Sequence, residues 1–154
     1  PARALHARYP DGARDAESLF ILPGGDMYII TKGTDGPVML YRYPVTARGE
    51  SGVVLERVRE AMAQPQHRTQ YVTGATTVGD GSRVAIRTYG SIHFHASEDL
   101  VGGGVTEPVN VDVRGLREEQ GEGIAVAQDG TVWLSSEAED GNPMLARLEC
   151  VLPG

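Results

Sequence analysis

Two glutamates, Glu122 and Glu137, flank an Asp129-Gly130 dipeptide in the stretch QGEGIAVAQDGTVWLSSE (120–137). A two-residue turn at that dipeptide folds the segment into a hairpin in which Glu122 lies opposite Glu137. Cross-strand partners share a face, with Cβ atoms about 5 Å apart. Two carboxylates placed that way repel unless a cation, an arginine or a proton intervenes. An oxygen-rich pair suits Ca²⁺ or Mg²⁺, so Glu122 and Glu137 are the candidate metal ligands. The same counting about Gly24-Gly25 sets Glu17 against Lys32, and about Asp80-Gly81 it sets Thr73 against Thr88, with Arg87 and Asp15 nearby. Glu17, Lys32, Arg87, Glu122 and Glu137 are therefore the candidate ligand-binding residues. The plainer alternatives are a surface ion pair for Glu17 and Lys32 and two separately solvated acids for Glu122 and Glu137.

Other chemistry is thinner. His93 and His95 alternate along one strand and share a face, a two-histidine arrangement without a visible third ligand. His6 and His67 are isolated. Cys150 is the only cysteine; no disulfide can form within this chain, and no base is assignable to a thiol nucleophile. The chain has no G-x-S-x-G, Walker A or H-E-x-x-H motif. Trp133, placed opposite Val126 by the same hairpin counting, reads as a core residue.

The candidate residues are positioned by a repeat. Segments 16–33, 72–90 and 121–138 each carry an apolar run, a Gly-Gly or Asp-Gly pair and a second apolar run. A third run follows each hairpin, at 38–44, 91–97 and 143–149, and a fourth candidate strand follows the first two units at 53–58 and 108–113. The stretch 53–62 also fits helical spacing, but analogy with the second unit favours a strand. The segments 46–52 and 98–108 read as surface loops. The turn glycines Gly25, Gly81 and Gly130 are spaced by 56 and 49 residues, a period that suits the blades of a β-propeller. "SLFIL", "MYII" and "RVAI" are apolar at successive positions, as strands covered on both faces are.

The expected fold is therefore all-β, with about three antiparallel blades at 10–60, 68–114 and 115–150. Residues 4–9 would serve as the outer strand of a preceding or closing blade. Three blades do not close a ring, so the expectation is a partial propeller or half of a six-bladed ring, completed by another copy or by further chain. In such a ring the first strands line a channel and the candidate residues gather at one mouth. The chain starts at Pro1 and shows no signal peptide, which is expected of a processed or shortened chain.

Composition sets the remaining bounds. The 154 residues carry a net charge of −7 and are 40% hydrophobic, enough for a real core. That charge gives no support to nucleic-acid binding. No uninterrupted apolar run is long enough to span a membrane as a helix.

At RYPDGARDAESLFI (8–21), VTGATTVGDGSRVAIRTYG (72–90) and QGEGIAVAQDGTVWLSSE (120–137) the chain resembles uncharacterised bacterial β-propeller proteins, often exported. These are similar in broad outline to phytase-like and SMP-30-like propellers. The resemblance covers most of residues 8–149. It implies an extracytoplasmic location (periplasmic or secreted) and recurrent acidic positions at Glu17, Glu122 and Glu137. Thr76 departs from the pattern, since similar repeats often carry an aspartate there, so the resemblance does not extend to a fully acidic, metal-loaded channel. The leading functional expectation is a module that binds a ligand or protein at its channel mouth. One alternative is a Ca²⁺-dependent hydrolase of phosphate or lactone esters; another is a structural subunit docking through open blade faces.

Overall fold

A computed structural model describes residues 2–47, 49, 51–138 and 141–149. Cys150 lies outside them, as does part of the expected loop at 46–52. The described residues form three antiparallel sheets and one short parallel pairing. The first sheet is a meander of β2 (Ala16–Ile21), β3 (Met27–Thr31), β4 (Val38–Tyr43) and β6 (Glu56–Met62). The second repeats that layout with β7 (Val72–Val78), β8 (Arg83–Thr88), β9 (Ser91–Ala96) and β10 (Val109–Asp112). The third has β11 (Gln120–Val126), β12 (Thr131–Glu137) and β13 (Leu145–Glu149). The expected strands thus appear as strands, the one at 53–58 being divided between Val53–Val54 and β6. β1 (Ala7–Arg8), however, pairs in parallel with β5 (Val53–Val54) rather than extending a four-stranded sheet. The expected surface loop at 98–108 begins instead with α1 (Ser97–Gly102), which buries Leu100.

The sheets pack face to face with the second in the middle. β7 lies against β2 on one side and β11 on the other, so the first strands of the three sheets stand side by side. Phe20, Tyr28, Ile30 and Leu40 of the first sheet meet Val72, Val84 and Ile86 of the second. On the far side Ala85, Ile92 and Phe94 meet Val132, Leu134 and Ala146. Each fully buried aliphatic or aromatic side chain here contributes roughly 1.5–3 kcal/mol. A third cluster, including Tyr9, Tyr41, Tyr43 and Leu55, lies under the N-terminal segment on the outer side of the first sheet. β8 is buried along both faces, as its unbroken apolar run predicts. β2 is not: its burial alternates, leaving Leu19 and Ile21 exposed.

The turns are longer than the two residues expected. Gly25 N–H donates to Leu22 O at 2.7 Å and Leu22 N–H to Asp26 O at 3.1 Å, leaving three residues in the loop. The third hairpin is built alike, with Gly130 N–H to Ala127 O at 3.0 Å and Ala127 N–H to Thr131 O at 2.8 Å. Gly25 at φ 90° and Gly130 at φ 84° occupy the left-handed position that closes a type I turn of this kind. In the second hairpin Val78 pairs with Arg83, so four residues turn. A Gly-Gly or Asp-Gly pair therefore marks the turn in all three hairpins without fixing its length.

Each hairpin also carries one bulge, at the same place in the repeat. The register shifts between Ala16 and Ser18, between Val72 and Gly74, and between Gly121 and Gly123. The inserted residues are Glu17, Thr73 and Glu122, spaced by the same 56 and 49 residues as the turn glycines. Longer loops and bulges together overturn all of the expected pairings, and Lys32 stands opposite Asp15, not Glu17. Glu137 stands opposite Gln120, not Glu122, and Thr88 stands opposite Val72, not Thr73. Trp133 pairs with Ala125 rather than Val126 and is 39% exposed, so it is not a core residue.

Candidate functional site

The three bulges bring polar side chains to one end of the adjoining first strands. A bulge adds a residue without a ladder partner and re-aims its side chain. Just beyond each bulge the partner strand continues with Lys32, Tyr89 and Glu137 at matching positions. Lys32 N–H donates to Asp15 O at 2.8 Å and Tyr89 N–H to Tyr71 O at 3.2 Å, while Glu137 pairs with Gln120. Lys32, Tyr89 and Glu137 are thus one repeat position, and Glu17, Thr73 and Glu122 another.

From these positions a continuous polar chain crosses the sheets. Lys32 Nζ donates to Glu17 Oε1 at 2.6 Å, so the expected ion pair forms even though its register is bulged. The ammonium lies 5.7 Å from the centroid of the Tyr89 ring, and the Arg68 guanidinium lies 4.8 Å from the same ring. Both distances are within cation–π range. The Tyr89 hydroxyl donates to Glu122 Oε1 at 3.3 Å. Burial opposes the Lys32 charge, but the Glu17 hydrogen bond and carboxylate charge, with Tyr89 beside them, outweigh it and raise the pKa above the usual lysine value. Lys32 therefore remains a cation at neutral pH.

Beside Tyr89 opens a cavity of about 340 Å³, lined in part by Arg68, Thr69, Arg114 and Arg117. Arg117 closes the 3-10 turn Arg114–Leu116 at φ 56°, the only left-handed residue other than glycine among those described. Arg114 is held by Asp112, whose carboxyl is drawn down to about 2 by the Arg114 hydrogen bonds. Three guanidinium groups and the carboxylates of Glu118 and Glu119 thus share the lining of one opening.

Arg87 and Glu137 fall outside the polar chain. Arg87 is wholly buried between the second and third sheets, where it pairs with Glu118, itself 3% exposed. Its Nη1 donates to Gly123 O at 2.5 Å and Ser135 O at 3.1 Å. These carbonyls flank the bulge at Glu122, so Arg87 braces the bulge from beneath, and Gly121 leaves room because a Cβ there would collide with the guanidinium. Glu137 is exposed at the rim of β12. Thr73 is buried and donates to Gly121 O at 2.7 Å. Thr88 is buried too, its hydroxyl turned to Ser91.

Glu122 and Glu137, the expected metal pair, do not stand directly opposite one another; they share the offset across a bulge at which Glu17 and Lys32 make contact. Among the described residues no cluster of three or more His, Asp and Glu side chains is placed to hold a metal ion. His93 and His95 do share a face, with ring centroids 6.5 Å apart. Burial lowers the pKa of both, that of His95 to about 4 with added repulsion from His93 and Arg59. His93 Nε2 is taken up by Ser91 Oγ at 2.7 Å.

Tyr89, Arg68 and Glu118 are the site residues that sequence reasoning did not reach. Tyr89 follows Thr88 directly, and a bulge at Thr73 would have pointed to it. Glu118 lies in a polar run with no periodic signal. No helix among the described residues is long and apolar enough to cross a membrane. Compared with known proteins, the chain matches no family model and no curated protein.

Proposed function

We propose that the three sheets are blades of a β-propeller and that the chain is a binding module. Its ligand site is the channel mouth formed by Glu17, Lys32, Tyr89 and Glu122. Side-by-side first strands and equivalent bulges support the blade reading, because blades set about a common axis repeat both. One observation carries the binding reading: the unbroken contact from Glu17 through Lys32 and Tyr89 to Glu122. It draws residues from three sheets, far apart in sequence, to one rim. Convergent polar groups beside a cavity are the usual form of a small-molecule site.

The rim offers two carboxylates, one ammonium and an aromatic face, and the neighbouring cavity adds Arg68, Arg114 and Arg117 against Glu118 and Glu119. A ligand with a hydrogen-bond donor or cation near Glu122 and an anionic end toward the arginines matches that order of charges. Glu137 extends the rim at the repeat position that Lys32 and Tyr89 occupy in the other sheets. The test is amide chemical-shift mapping of labelled protein with a panel of small zwitterions, organic acids and amines. Shifts clustered at residues 17, 32, 68, 89 and 122, and lost with Glu122→Gln and Tyr89→Phe, support the site. A panel that moves only amides remote from this rim refutes it.

A further inference from the structure

The stack of three sheets ends in two faces that no sheet covers, although the N-terminal segment covers β3 and β4 on the outer side of the first sheet. The middle sheet shows what covers faces of that kind. Register places Trp133 at the position of Ala85 and Leu145 at the position of Ile92. Ala85 and Ile92 are wholly buried because the third sheet lies over them. Trp133 is 39% exposed and Leu145 69%, with no further sheet on them. At the other end, Ile29 on β3 matches Ile86, which the first sheet buries completely; Ile29 itself is partly covered by the cluster under the N-terminal segment. Beside Ile29, Leu19 is 50% exposed and Ile21 46%. Each open face therefore carries apolar side chains at positions that the repeat elsewhere covers with a sheet.

We infer that a second copy of this chain supplies that sheet. The Trp133–Leu145 face of one copy packs on the Leu19–Ile21 face of the other, and the reverse contact closes the pair. The contact continues the two interfaces already present inside the chain, since it joins the same two kinds of face. Inside the chain the residue just past each bulge reaches the next sheet at the rim, as Lys32 reaches Tyr89 and Tyr89 reaches Glu122. Glu137 holds that position on the third sheet, and the next sheet in line would present the Glu17–Lys32 pair of the second copy. The arrangement is head to tail yet closed, because two copies bury both open ends. It goes beyond the ligand site and does not depend on it.

Sedimentation equilibrium of the wild-type chain tests the pairing, the expected mass being twice 16.5 kDa. Trp133→Glu and Ile21→Glu each change an exposed side chain, and circular dichroism with urea unfolding confirms that both variants fold. Each alone weakens self-association by at least about tenfold, as loss of an interface anchor does. Mixed in equal amounts they regain association, because the unaltered Trp133 face of one variant meets the unaltered Ile21 face of the other. Wild-type chain that stays at the monomer mass up to about 100 μM, well above the Kd of a specific interface, overturns the inference. A dimer broken by one variant only, or a mixture that stays monomeric, overturns it equally.

Discussion

Removing Glu118 isolates the buried charge that braces the Glu122 bulge. In Glu118→Gln the Arg87 guanidinium keeps its bonds to Gly123 O and Ser135 O but loses its countercharge in a site from which water is excluded. Breaking a buried pair at one partner costs about 3–5 kcal/mol. Arg87→Met removes the charge and leaves the two carbonyls and Glu118 without their donor, at about 1–3 kcal/mol for each buried group. The double variant Arg87→Met with Glu118→Leu leaves no buried charge, so its loss falls well short of the sum of the singles, with a coupling of about 2–3 kcal/mol. For a domain of this size, 4 kcal/mol corresponds to a fall in Tm of roughly 8–16 °C. The assay is urea unfolding followed by fluorescence of Trp133, the chain's only tryptophan, on the strand that carries Ser135. Because the pair is shielded from solvent, the Glu118→Gln loss should be nearly the same at low and high salt. A loss below about 1 kcal/mol, or additive singles, would refute the reasoning that Arg87 is a charged brace.

Further perturbations separate other parts of the structure. Gly121→Ala puts a methyl group into the guanidinium of Arg87 and should cost about 1–3 kcal/mol; in an Arg87→Met background the same change should cost measurably less in denaturant midpoint. Lys32→Met breaks a partly exposed pair with Glu17 and should cost under about 1 kcal/mol, fading as salt is raised. His95 titrates at about 4 in the folded chain, against about 6.5 unfolded. The unfolded chain therefore takes up the proton first. The stability owed to the neutral ring is full above pH 6.5 and is lost progressively toward pH 4. Proton-resonance titration of His95 should give its midpoint near 4, and His95→Phe should flatten the pH dependence across that window.

The repeat was legible because it is written in short-range chemistry. Successive apolar residues and turn glycines at 25, 81 and 130 located three hairpins, and all three fold where expected. Register was not legible. Gly-Gly and Asp-Gly serve three-residue and four-residue loops as well as two-residue ones, and a bulge leaves no local mark on composition. Glu122 and Glu137 were therefore set directly opposite one another, when a bulge offsets them and pairs Glu137 with Gln120. The Glu17–Lys32 pair survived the same error because both side chains are long enough to meet across a bulge. Arg87 looked like a rim residue because charge suggests exposure, and its partner Glu118 sits in a loop outside any periodic pattern. Trp133 looked like core because size suggests burial, but burial depends on whether a neighbouring sheet covers that face.

The three unpaired residues at 17, 73 and 122 also act as local spacers of sequence. Side chains alternate along a strand, so deleting any one of them would turn the residues before it to the opposite side while those after it kept their places. In the third sheet the shift would carry Gly121 away from Arg87 and set a bulkier neighbour against the guanidinium. Additions at the Gly79–Ser82 turn lie beyond the last ladder pair and leave that alternation intact. Length variation is thus absorbed at the turned ends of the hairpins and forbidden at the opposite ends.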